Sequence, residues 1–227
     1  MRLISDRTFE RARSNAETIE DLRLEPCQFT QGSARDTTFR RIELVDCRCW
    51  AAHLFDPVLE DCTVTGLRMS LGPGGGRTQP LFVWGGWAKH LTLSGRIGGL
   101  VWNPPVDWRA EWDLAGLQAV RRAYVDVDWA LDIRNAEFTA VPGFRFGPPG
   151  RLIRRDEETQ PLVTRKKADT GSWRERGGDI GVWRIALDDL LAHPWPDEIV
   201  LVPQATGPRR ADQLRAIQRL RDLRVAE

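Results

Sequence analysis

Residues 17 to 71 read ETIEDLRLEPCQFTQGSARDTTFRRIELVDCRCWAAHLFDPVLEDCTVTGLRMSL, and every fifth side chain in that stretch is apolar. The series is Ile19, Leu24, Phe29, Ala34, Phe39, Leu44, Cys49, Leu54, Leu59, Val64 and Met69. With 41% apolar residues in the whole chain, eleven hits in one preset register arise by chance roughly once in 10⁴ chains. Two residues before each centre lies a second series: Leu22, Cys27, Gly32, Thr37, Ile42, Cys47, Ala52, Pro57, Cys62 and Leu67. Its members are nearly all small or apolar. Arg, Asp, Glu, Gln, Thr and His fill the positions between.

A beat of five is neither the helical 3.6 nor the strand's 2. It fits a chain that turns a corner every five residues and keeps two of each five inside. Four sides make a turn of twenty residues, and successive turns stack at one strand spacing, roughly 4.8 Å. The stacking predicts columns at a twenty-residue offset: Leu24, Leu44 and Val64; Phe29, Cys49 and Met69; Leu22, Ile42 and Cys62; Cys27 and Cys47; Phe39 and Leu59. All are apolar. No single turn can bury its own face, so stacking must supply the core.

The pentads C27-Q-F-T-Q, T37-T-F-R-R, C47-R-C-W-A, A52-H-L-F-D and C62-T-V-T-G resemble the pentapeptide-repeat family. The resemblance implies a right-handed quadrilateral β-helix. It covers about 55 residues cleanly, with fragments at 91–95 and 131–140. Most pentads lack the family's usual Asp or Asn before the centre, and Pro57 is unusual at an inward position. Some family members protect DNA gyrase by imitating DNA with strongly acidic surfaces. With 33 basic against 32 acidic side chains, this chain does not match that property.

The expected fold is therefore mainly β: a parallel β-helix over residues 1–146 with an N-terminal cap and Trp-rich insertions. A mixed appendage follows over 147–227, ending in a capping helix at 209–225. Residues 1–16 read as a short helix or cap over the coil's edge. Gly72–Pro80 and Asn103–Leu117 read as loops pushed out of the coil. Residues 123–129, Ala-Tyr-Val-Asp-Val-Asp-Trp, alternate like a strand. Ile180–Ile185 and Ile199–Val202 read as strands, with a short helix at Leu187–His193 stopped by Pro194 and Pro196. Leu214, Ile217, Leu220 and Leu223 mark the buried side of the last helix.

A net charge of +1 announces neither nucleic-acid binding nor its mimicry. No run of 18 apolar residues and no signal-like N-terminus is present, and the four cysteines read as reduced core residues of a cytoplasmic protein. Neither their spacing nor their order matches a zinc ribbon or finger. Gly72–Gly76 lacks the Lys-Ser/Thr of a phosphate loop. No cofactor or metal is expected. His53, His90 and His193 accompany no nucleophile motif and read as surface side chains.

Two functional readings remain. The first is a non-enzymatic protein that docks on or occludes a protein partner, with Trp108, Trp112 and Trp102 as contact candidates, since tryptophan is enriched at binding hot spots. A toxin-neutralising immunity protein is its specific form, and a homodimer stays open. The second is a carbohydrate-cleaving enzyme. Asp126 and Asp128 would project from one strand face with Asp132 nearby, flanking a sugar bond as an acid and a base do. A structural scaffold is third.

Overall fold

The computed structural model describes residues 1–72, 75, 78–105, 114–144 and 146–227, and only the backbone of residues 114–116. It is a parallel β-helix of four sides, followed by a mostly helical C-terminal unit.

Each side of the coil is a ladder of short parallel strands. One side runs from Arg2–Ser5 through the later halves of Thr18–Glu25 and Thr38–Val45 to Thr63–Thr65, Leu91–Ile97, Leu131–Phe138 and Ile153–Arg154. The next carries Thr8–Glu10, Gln28–Thr30, Arg48–Trp50 and Arg68–Met69. The third stacks Arg13–Asn15, Ser33–Arg35, His53–Phe55, Leu81–Trp84, Leu100–Asn103 and Gly143–Phe144. The fourth is made of the first halves of Thr18–Glu25 and Thr38–Val45, with Val58–Glu60 and Trp87–Lys89.

The register is the one the columns predict. Leu24 pairs with Leu44 and Leu44 with Val64. Phe29 pairs with Cys49 and Cys49 with Met69, Leu22 with Ile42, and Phe39 with Leu59. Ion pairs on the outer surface repeat the same offset: Arg23 with Glu43 at 2.9 Å, Arg40 with Glu60 at 2.8 Å and Arg41 with Asp21 at 2.7 Å. Exposed pairs of this kind add little stability, but they favour that register over its neighbours. The turn after residue 70 is longer. Leu54 pairs with Val83 and Val64 with Leu93, so the loop around Gly72–Pro80 adds nine residues to a turn of twenty.

The corners explain the polar positions. Except at Pro26, the residue two after a centre takes a left-handed conformation in the first three turns: Asp6, Arg11, Ala16, Asp21, Gln31, Asp36, Arg41, Asp46, Ala51, Asp56 and Asp61 have φ between 46° and 55°. Asp tolerates this region better than most side chains, and six of those eleven are Asp. Pro57 also fits. The ladder at its corner runs through the following amide, Val58 N to Thr37 O at 3.1 Å, so the missing N–H of proline costs nothing there.

Residues 1–16 are not a helical cap. They form the first turn of the coil, with Arg2–Ser5, Thr8–Glu10 and Arg13–Asn15 in register with the second. Ile4 and Phe9 keep the beat of five, and Phe9 stacks on Phe29 at 5.3 Å. The reading missed this turn because Arg2, Arg7 and Glu17 stand where later turns carry small or apolar residues.

Residues 123–129 are not a strand. Helix α1 (Leu114–Ala123) ends in a turn at Tyr124–Asp126. Tyr124 packs edge-on against Trp87 and stacks on Trp195 at 6.1 Å. Its hydroxyl oxygen accepts a bond from the Ala88 amide at 3.2 Å, which docks α1 on the coil's fourth side.

In the C-terminal unit, Leu162–Thr164 and Glu198–Val200 form an antiparallel pair. Four helices surround it: α2 (Arg165–Ala168), α3 (Ser172–Arg176), α4 (Trp183–Ala192) and α5 (Arg210–Asp222). The expected strand at Ile180–Ile185 is instead a turn leading into α4, whose apolar positions follow a helical stripe through Trp183, Leu187 and Leu190. The last helix, α5, packs its apolar stripe into a second core. Leu162, Val200 and Val202 join the coil's core, whereas Ala216, Ile217 and Leu220 of α5 belong to a second core with Trp173, Ile180 and Trp183. Its buried stripe is Gln213, Ala216, Ile217 and Leu220, while Leu214 and Leu223 are half-buried. Among the described residues, no helix is long and apolar enough to cross a membrane.

Candidate functional site

At the corner after Trp87–Lys89, His90 stands over Asp61 of the turn below. The Asp61 amide donates to Lys89 O at 2.9 Å, and the His90 amide to Trp129 O at 3.3 Å. His90 takes the left-handed conformation of the other corners, φ 56°. Its Nδ1 lies 2.8 Å from Asp61 Oδ1 and its Nε2 2.7 Å from Asp128 Oδ1. The ring packs on Trp129 at 4.6 Å, and the Arg154 guanidinium lies 4.3 Å from the centroid of a Trp129 ring.

Both contacts are hydrogen bonds only if both ring nitrogens carry protons, which is the imidazolium form. Partial burial works against that charge, but the bonds to Asp128 and Asp61 outweigh it and raise the His90 pKa above its usual value. The His90 bond in turn holds Asp128 below the usual carboxylate range. A general base needs a free ring nitrogen, and here both are engaged. The arrangement is a clamp that ties the segment after α1 to the coil.

The three aspartates singled out in the sequence occupy different surroundings. Asp126 is exposed in the turn after α1, so it does not share a strand face with Asp128. Asp128 is bonded to His90. Asp132 is buried and receives Arg134 Nε at 3.0 Å and Nη2 at 2.5 Å. Burial pushes its pKa up, but the Arg134 bonds, with Arg154 nearby, bring it below the usual value. Neither Asp128 nor Asp132 is the raised, protonated carboxyl that an acid catalyst requires.

A second feature lies on the outer surface of the third side. Arg35, Phe55, His53, Phe82 and Trp84 come from three adjacent strands. Arg35 sits 4.8 Å over the Phe55 ring. His53 stacks on Phe55 at 6.0 Å and on Phe82 at 5.3 Å, and Phe82 stacks on Trp84 at 6.0 Å, with ring planes 10° to 27° apart. The Trp84 indole N–H donates to His53 Nδ1 at 3.4 Å, and burial lowers the His53 pKa. His53 is thus neutral in this row. Outward positions elsewhere on the coil are largely charged or hydroxylated, so a continuous aromatic row is a departure from the pattern.

Trp102, expected to contact a partner, is 1% exposed. Its indole N–H donates to Gly85 O at 2.7 Å, so it fills the coil interior. Trp108 and Trp112 lie outside the described residues. Trp173 and Trp183 are buried in the second core.

The four cysteines are free and buried. Cys47 donates to Leu24 O at 3.3 Å and Cys62 to Glu60 O at 3.2 Å, and burial pushes the Cys49 thiol up to about 11. Among the described residues, no group of three or more His, Cys, Asp or Glu is placed to hold a metal ion.

The reading of the sequence missed both features. His90 follows the centre Ala88 by two, the same corner position that Asp occupies six times. The aromatic row was hidden because its members alternate with inward residues, and its columns appear only once the nine-residue insertion is removed. Comparison of the sequence with family models and with characterised proteins finds no match.

Proposed function

We propose that this chain is a non-enzymatic protein-binding protein that docks on or occludes a partner through the aromatic row of the coil's third side. The resemblance of its pentads to the pentapeptide-repeat family agrees with a role built on a rigid surface. A toxin-neutralising immunity protein is the specific form we favour. The observation that carries the reading is the row Phe55, His53, Phe82 and Trp84 on an outer face. Rigid aromatic side chains already held by stacking lose little entropy when a partner covers them. Arg35 lies over Phe55, and Phe55, His53, Phe82 and Trp84 stack in succession, so their ring faces are already engaged. Sugar recognition relies on open ring faces, which favours a protein partner over a glycan.

Affinity capture from the native cell extract tests the proposal, comparing the wild-type chain with Phe82→Ser and Trp84→Ser. The expected result is one stoichiometric protein partner on the wild type, with affinity reduced tenfold or more in each variant, on the order of a hot-spot loss. A partner retained equally by both variants would move the interface elsewhere. No partner at all, with loss of glycan turnover on Asp128→Asn, would replace the binder with the carbohydrate enzyme.

A further inference from the structure

The C-terminal unit holds a basic cavity that the coil's role does not use. It lies between α2, the loop that leads into α3, and the end of α5, with a volume of about 480 Å³. Lys166, Lys167, Arg176 and Arg224 line it, and among the described residues no carboxylate does. Lys167 is balanced by Glu227 at 3.1 Å. Lys166, Arg176 and Arg224 have no ion pair among the described residues. In a chain of net charge +1 with 32 acidic side chains, three unpaired cations around one cavity are a local excess. Elsewhere arginine meets carboxylate repeatedly, as in the coil's pairs at the twenty-residue offset.

The polar lining adds a donor. Thr164 Oγ1 accepts the Lys167 amide at 3.3 Å, which leaves its own O–H free to point into the cavity. Thr170 donates to Lys167 O at 2.8 Å and sits 3.3 Å from Ser172 Oγ, fixing that wall. Two of the chain's three lysines are here. A lysine ammonium is a mobile point charge that suits phosphate oxygens, and arginine adds planar forks.

We propose that this cavity binds an oligophosphate group, either as an inorganic chain or as the phosphate tail of a nucleotide. One phosphate monoester carries about −1.5 to −2 charges at neutral pH, so three uncompensated cations call for more than a simple carboxylate. The volume lies in the ordinary range for small-molecule sites and exceeds what a single phosphate fills. Leu223 is the one apolar side chain in the lining, so charge rather than an apolar ring supplies the grip.

Isothermal titration of the full chain at 150 mM salt, with tripolyphosphate, ATP and adenosine in turn, tests the assignment. One-to-one binding of tripolyphosphate and ATP is expected with Kd below about 100 μM, and none of adenosine. Lys166→Ala and Arg176→Ala should each weaken binding about tenfold or more, whereas Lys166→Arg stays within about threefold. Arg48→Ala, on the coil's second side, should change nothing. All of these side chains are exposed, and a melt of each variant confirms folding. Equal affinity for the two polyanions identifies the phosphates alone as the ligand. Tighter ATP binding adds contacts to the nucleoside, and both outcomes uphold the site. No binding of either polyanion at 1 mM, or binding that Lys166→Ala and Arg176→Ala leave intact, overturns it.

Discussion

The coil and the C-terminal unit bury their side chains by different means. In the coil, an inward position is buried by its copies in the turns above and below. Ile4, Phe9 and Ile19, in the first turn, are half-buried, and the centres Leu44, Leu54, Leu59 and Val64 of the middle turns are half-buried too, whereas Val83, Leu93 and Leu131 of the later turns are 4% exposed or less. In the C-terminal unit, burial comes from a few large side chains meeting once. Trp173 and Trp183 are 0% and 2% exposed, and both indoles donate to backbone carbonyls, of Ala168 at 2.8 Å and Gln213 at 3.1 Å. A repeat thus distributes stability along a stack, while the aperiodic unit concentrates it in anchors.

The largest expected effect comes from placing a charge in a column. Ile42 lies between Leu22 and Cys62 and is 7% exposed. Ile42→Asp should cost about 4 kcal/mol or more, because a carboxylate there has no partner, and lower the melting midpoint by about 10 °C or more. Ile185→Asp, on the outer face of α4 at 56% exposure, should stay within about 0.5 kcal/mol. Equal melting of the two variants would show that the columns do not carry the coil.

Corners give an intermediate effect. Gly66 has φ 70°, and a Cβ there would lie 2.5 Å from Asp46 Oδ1 of the turn below. Gly181 has φ 56° with nothing within 4 Å. Gly66→Ala should therefore cost about 2 kcal/mol and Gly181→Ala about 1 kcal/mol, the second being the left-handed backbone alone. In the other direction, Ala16→Gly at φ 51° should stabilise by about 0.5 kcal/mol, the relief of strain exceeding the extra freedom of the unfolded chain. Chemical denaturation of the three variants checks the order.

What could be read in advance follows the same division. The columns were legible from Ile19 to Met69 because each turn repeats the same local choice, and five is a period that neither helix nor strand produces. The first turn was not, since Arg7 and Glu17 break the series of small residues there. Helix α1 was hidden by Val125, Asp126 and Asp128, whose alternation imitates a strand although Tyr124–Asp126 turns. In α5 the helix was clear from its apolar spacing, but its neighbour was not. A stripe of Ala216, Ile217 and Leu220 fits any apolar surface, and only the fold shows that Trp183 supplies it. The functional features were hardest. Asp128 was visible as a carboxylate, but its partner His90 lies 38 residues away, and His53 meets Phe82 across the inserted loop.

The smallest expected effect lies where the coil is tied to the segment after α1. His90 faces Asp61 and Asp128, with Lys89 next in the chain and Arg154 over the Trp129 ring. The His90 pKa is raised in the folded protein. Its contribution to stability is therefore complete below the unfolded value of about 6.5 and disappears as pH rises through the folded value. The Asp128 pKa is lowered, so its contribution is present above its unfolded value of about 3.9 and disappears as pH falls through the folded one. The clamp is strongest between these limits. NMR titration should place the His90 pKa above 6.5, and Asp128→Asn should bring it down. The melting difference between wild type and Asp128→Asn should be no more than about 3 °C at pH 5.5, as for other exposed ion pairs, and shrink by pH 8.5. A difference that stays constant across that range would mean Asp128 acts through packing, and that the imidazolium is not what joins the two segments.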